Sequence, residues 1–157
     1  MKNIEDSFSQ KIFECNKHIE KLKDAQDYLK EIMPLSVEKY LKIDKIQSSF
    51  IDQLNFRFTK LQDTIGESIL RGILIFSKED IRKMTFLDIL NKLEALEVLD
   101  KDEWLNLREV RNEIAHEYSF NQDEVVDSIN LIYNKVDDLI LIYNKLLNFI
   151  EKIKDKN

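Results

Sequence analysis

Val125, Ile129, Ile132, Val136, Leu139, Tyr143, Leu146, Ile150 and Ile153 recur in steps of three and four, with no Pro or Gly between them. That spacing falls on one face only in an α-helix, so the C-terminal part of the chain reads as one long amphipathic helix. Leu131, Leu141, Ile142 and Phe149 widen the apolar face beyond a two-strand seam, which calls for a place deep in a helical bundle. Phe8, Ile12, Cys15, Ile19, Leu22, Leu29 and Met33 repeat the pattern near the N-terminus, broken only by Gln26 and stopped by Pro34. Ser36 can cap a following helix whose stripe, Phe50, Leu54, Phe58, Leu61, Ile65 and Ile69, runs towards Gly72, with a kink expected near Asp44. Ser77 with Asp80, Thr85 with Asp88, Asp100 with Glu103 and Asn121 with Glu124 set a capping residue three before an acid, which predicts four more helix starts.

Two Gly and one Pro in 157 residues, with 43% hydrophobic and 34% charged residues, exclude a sandwich, a barrel or a disordered chain. The length suits one core and not two. The expected architecture is all-α, a compact antiparallel helical bundle of about four long helices and one or two short ones, as a single domain over residues 1–157. An extended coiled coil would use the same stripes, but turn signals between the helices favour antiparallel neighbours.

No apolar run approaches the roughly 20 residues that span a bilayer, and the start of the chain lacks the apolar stretch of a signal peptide, so no membrane association and a cytoplasmic location are expected. The single Cys15 cannot form an internal disulfide and falls on an apolar stripe, as a buried structural thiol would. His18 and His116 have no Cys or acidic partners at metal-ligand spacing, so no metal and no cofactor are expected. The formal net charge of -6 disfavours a broad grip on nucleic acid. Lys101, Arg108 and Arg111 are themselves outnumbered by Asp102, Glu103, Glu109, Glu113 and Glu117. An RNA contact here needs Arg108 and Arg111 turned inward, with help from another segment or subunit.

Chemistry concentrates in Arg111-Asn112-Glu113-Ile114-Ala115-His116-Glu117-Tyr118, which joins a permanent cation, an amide, an imidazole and a phenol at the end of a helix. Trp104, Leu107, Val110 and Ile114 share the face that anchors this helix, and Asn112 and His116 lie together on another. Five residues separate Arg111 from His116, which is about 140° around a regular helix and about 7.5 Å along it. One regular helix does not aim both at one phosphate. Either the last turn unwinds or a two-fold partner completes the site. These residue types suit RNA cleavage by the adjacent 2'-hydroxyl: the imidazole moves the protons, Arg111 stabilises the charged phosphorane, and Asn112 orients His116 or donates to a phosphate oxygen. Each also has a structural use. His116 can complement the helix dipole, Arg111 can pair with a surface carboxylate, and Tyr118 can pack at the bundle edge.

The motif resembles that of HEPN-domain ribonucleases of the HepT type. Two further stretches strengthen the resemblance: Phe56-Arg57-Phe58-Thr59-Lys60-Leu61-Gln62-Asp63-Thr64-Ile65-Gly66-Glu67 and Glu103-Trp104-Leu105-Asn106-Leu107-Arg108-Glu109-Val110. The resemblance implies a HEPN-like bundle that dimerises and acts as a metal-independent endoribonuclease toxin in a type VII-like toxin–antitoxin pair. It places Arg111 and His116 on catalytic positions, Asn112 on their polar neighbour, and Tyr118 on the tyrosine that a minimal nucleotidyltransferase antitoxin modifies with AMP. Arg108 is then a candidate contact to RNA phosphate. Related HEPN proteins also suggest an alternative, a non-catalytic subunit that binds nucleotide or a nucleotidyltransferase through the same cleft. A purely structural helical adaptor would leave the motif without effect on RNA or partner.

Overall fold

A computed structural model describes residues 2–113 and 120–156, and the chain is helical along most of that length with no strand among the described residues. Helix α1 runs Lys2–Leu29 and ends in a 3₁₀ turn, Lys30–Ile32, just before Pro34. The short α2, Val37–Leu41, starts at Ser36, whose hydroxyl accepts from the Lys39 N–H at 3.1 Å. The kink expected near Asp44 is a full break. Asp44 opens α3, Lys45–Thr64, with a reciprocal capping box to Gln47. α3 continues through a π turn, Ile65–Ile69, into α4, Leu70–Phe76. Then come α5, Phe86–Ala95, α6, Lys101–Glu113, and α7, Gln122–Lys156.

Of the four capping pairs, three start helices. Thr85 and Asp88 form a two-way capping box, the Asp100 carboxylate accepts from the Glu103 N–H, and the Asn121 side chain accepts from the N–H groups of Asp123 and Glu124. Ser77 and Asp80 do not. Lys78 takes a left-handed φ of 63°, its N–H reaches Ile75 and that of Glu79 reaches Leu74, which is the double bond of a Schellman motif closing α4. Asp80 turns instead to Arg82, which donates to both its oxygens at 2.8 and 3.0 Å. α5 ends the same way around Glu97, with Val98 buried beside the end it seals.

Helix α1 runs antiparallel to both α3 and α7, which therefore lie parallel to each other. α1 lies along α3, with His18 beside Arg57 and Phe8 against Gly72, and along α7, where Tyr143 reaches Ile12 and Gln26 reaches Asp137. The N-terminal stripe is interrupted at Gln26 because that residue bonds sideways to α7 while Ala25 takes the core position. α7 packs on α3, α4 and α6 and buries Val125, Ile129, Ile132, Val136, Leu139, Tyr143, Leu146 and Ile150 as its spacing requires. The widening is narrower than expected: Ile142 is buried, but Leu141 is 63% exposed and Leu131 also reaches the surface. Gly72 does not end a helix. It sits inside α4, where a Cβ would overlap the Phe8 ring, so its lack of a side chain lets α1 and α4 close on each other. Cys15 is fully buried, and desolvation together with the neighbouring Glu14 pushes its thiol up to about 12, which suits a packing role. Among the described residues no helix is long and apolar enough to cross a membrane.

Candidate functional site

Where α3 and α4 face α6, the bundle opens a cleft of about 440 Å³. Gln62 and Asp63 reach it from the last turn of α3, Gly66 and Glu67 from the π turn, and Arg71 from α4. Phe86 closes one side from the start of α5, and Trp104, Arg108 and Arg111 come from successive turns of α6.

The π turn sets this geometry. Its wide loop is closed by the Leu70 N–H bonding back to Ile65, and the added residue lets both Ile69 and Leu70 enter the core. Gly66 is thereby brought against α6: a Cβ there would lie 3.2 Å from Trp104 Cζ2. Small size at this one position allows the indole to lie against the turn.

The floor of the cleft holds polar atoms with unmet bonding capacity. Gln62 is 2% exposed and neither atom of its amide has a hydrogen-bond partner; the Trp104 Nε1–H and the Arg111 Nε–H are buried and unpartnered as well. Leaving such a group unpaired costs about 1–3 kcal/mol.

The walls are charged. Arg111 is half-buried and its Nη2 lies 3.1 and 3.3 Å from the two oxygens of Asp63, which fixes the guanidinium over the floor. Arg108 lies over the Phe86 ring, 5.0 Å from its centroid. Arg71 adds a third cation, against the carboxylates of Asp63 and Glu67.

The positions singled out from the sequence therefore divide. Arg108 and Arg111 turn into one cleft, where Arg71 of α4 joins them. Asn112 is exposed on α6 and does not line the cleft. His116 and Tyr118 lie outside the described residues, three and five positions beyond the Glu113 that ends α6. The Glu113 carbonyl accepts from the Ser128 hydroxyl at 3.0 Å, which ties the end of α6 to α7.

Gln62, Asp63 and Trp104 were not foreseen as site residues. Trp104 sits on the apolar stripe of α6, and its donor is invisible to periodicity. Gln62 had a signal: a polar residue directly after Leu61, beside a stripe that is fully buried from Leu54 to Ile69.

Comparison of the chain with family models, with curated proteins and with solved structures gave no match.

Proposed function

We propose that this protein is a metal-independent endoribonuclease of the HEPN type, the toxin of a pair whose minimal nucleotidyltransferase antitoxin silences it by placing AMP on Tyr118. The observation that carries the reading is the inward-facing Arg111, held by Asp63 in a cleft with two more arginines and on the helix that leads directly to His116.

In this reading the cleft takes the RNA backbone. His116 accepts the 2'-hydroxyl proton as the 2'-oxygen bonds to phosphorus. The bond from phosphorus to the 5'-oxygen then breaks, and a protonated imidazole returns a proton to that leaving oxygen. The products are a 2',3'-cyclic phosphate and a 5'-hydroxyl. Arg111 bears the charge that builds on the phosphorane, and Arg108 and Arg71 neutralise flanking phosphates. Asn112, exposed one residue on from Arg111, is assigned to orienting His116. A homodimer brings two imidazoles to one cleft, and the exposed Leu141 and Phe13 are apolar surface that such pairing would use. The setting is cytoplasmic, with no membrane partner.

The nucleotide-sized volume and its unpaired polar floor favour a second reading, a non-catalytic subunit that holds nucleotide for a nucleotidyltransferase. Incubating the protein with RNA in chelator separates the two. New 5'-hydroxyl and 2',3'-cyclic phosphate ends support the ribonuclease, and intact RNA with bound nucleotide supports the companion.

A further inference from the structure

The seam between α1 and α3 gathers positive charge in a chain whose formal net charge is -6. Gln53 donates to the Lys21 carbonyl at 2.7 Å and Arg57 lies 3.0 Å from His18 Nδ1, so the antiparallel pairing sets Lys17 and Lys21 of α1 across from Arg57 and Lys60 of α3. Lys17 is offset by Glu20, and the nearby Lys11 by Glu14, in pairs that solvent screens. Among the described residues Lys21, Arg57 and Lys60 have no carboxylate partner. After burial, the charges of Arg57 and Lys60 hold the His18 pKa below 6.5 against the pull of Glu14. Like charges gathered in this way repel, and an anion lying along them relieves the repulsion.

Phe56 gives the seam a second property. Its ring is 49% exposed, with the Arg57 guanidinium 5.3 Å and the Lys60 ammonium 5.7 Å from its centroid. An exposed aromatic ring edged by cations suits a nucleic-acid single strand, whose bases stack on the ring while its phosphates meet the cations. The seam also adjoins the cleft. Phe56, Lys60 and Asp63 are spaced four and three apart and so share one face of α3. Asp63, which holds Arg111, stands two turns from Phe56, about 10 Å along the axis.

We infer that Phe56, Arg57, Lys60 and Lys21 form an outer binding track for single-stranded RNA, seating nucleotides beyond those held in the arginine cleft. This assignment rests on the RNA-cutting reading above and adds a length requirement to it. The strand has to cross the α3 face from Asp63 to Phe56, so an RNA of two nucleotides fills the cleft alone and a longer one gains the track.

Binding can be read without turnover. The intact protein is titrated in chelator with fluorescein-labelled 2'-O-methyl oligouridylates of two and twelve nucleotides, which lack the 2'-hydroxyl that cleavage uses, and anisotropy is followed over a range of salt. The twelve-mer should bind wild type at least about tenfold more tightly than the dinucleotide. Phe56→Ser should weaken the twelve-mer by at least about fivefold. Lys21→Gln with Lys60→Gln should reduce the slope of log affinity against log salt by about 1.4, the share of two phosphate contacts on a single strand. Neither change should alter dinucleotide affinity, and all the altered side chains reach the surface, so helicity should be retained. Equal affinity of wild type for both lengths would overturn the track whether or not the variants fold. So would twelve-mer binding by both variants with the wild-type affinity and salt slope, or a Phe56→Ser protein whose only change is lost self-association, which would give the ring to a second copy. Track-dependent binding without cleavage of ordinary RNA would support the track and count against the ribonuclease reading alone.

Discussion

The Arg111 guanidinium lies 3.1 Å from the Asp63 carboxylate and ties the last turn of α6 to the last turn of α3. Both side chains are about a third exposed, 39% and 31%, so solvent screens the pair and its contribution to stability is about 1 kcal/mol at most. Its value lies in aim. Asp63→Asn keeps an oxygen acceptor for Arg111 and removes one negative charge from the cleft. The expected outcome is unfolding stability within about 1 kcal/mol of wild type and a several-fold lower KM for RNA at low salt, a gain that fades as salt rises. A KM that is unchanged at low salt would show that Asp63 does not compete with phosphate for Arg111.

Gly72 makes a different kind of contact. Phe8 crosses it and meets Phe76 edge-on, with ring centroids 5.0 Å apart, so a methyl group at position 72 has no free volume. Gly72→Ala should destabilise the fold by about 1–3 kcal/mol in urea unfolding, despite alanine's better helix propensity. Phe8→Leu added to it should recover part of the loss. A stabilised Gly72→Ala protein would mean that α1 does not close on α4 as described.

His18 carries a pH effect. Burial, followed by the charges of Arg57 and Lys60, lowers its pKa below 6.5 and outweighs the opposing pull of Glu14; the Arg57 guanidinium is 3.0 Å from its Nδ1. The sign follows from which state takes the proton first. Below 6.5 the unfolded chain protonates His18 while the folded chain resists, so stability falls as pH drops through that value and stops falling on this account once the folded ring protonates too. Proton NMR of the imidazole should give a midpoint below 6.5, and His18→Gln should flatten that part of the stability profile. A midpoint above 6.5 would reverse the assignment.

The helices were legible because their signals are local. The stripe of α7 and the capping chemistry of Ser36, Thr85, Asp100 and Asn121 act within a few residues of themselves. Ser77 failed because two backbone bonds closing α4 took the position that its side chain would have used. Arg108 and Arg111 were legible as candidates, but their company was not. Gln62, Asp63, Gly66 and Arg71 reach them across 37 to 49 residues of chain, depending on the pair, through a π turn that no periodicity announces. That assembly is tertiary, and it decides the chemistry of the cleft.

Tyr118 is proposed as a regulatory acceptor with no required part in cleavage. A phenol with an ordinary pKa near 10 is a poor proton carrier at neutrality, whereas an AMP group on it would add a phosphodiester that competes with RNA for Arg111. Tyr118→Phe should keep most of its RNA-cutting rate and resist inactivation by the partner with ATP and magnesium. Equal inactivation of Tyr118→Phe and wild type, with the adduct mapped elsewhere, would remove Tyr118 as the switch.

The central claim is tested most directly by RNA cleavage in chelator with wild type, His116→Ala, Arg111→Ala and Arg111→Lys, all checked for unchanged helicity. The account predicts cutting by wild type and a loss of about 10²- to 10⁴-fold for His116→Ala. Arg111→Ala should fall comparably, and Arg111→Lys should remain impaired because an ammonium cannot make two parallel bonds to a phosphate. RNA cleavage by His116→Ala at the wild-type rate would contradict it.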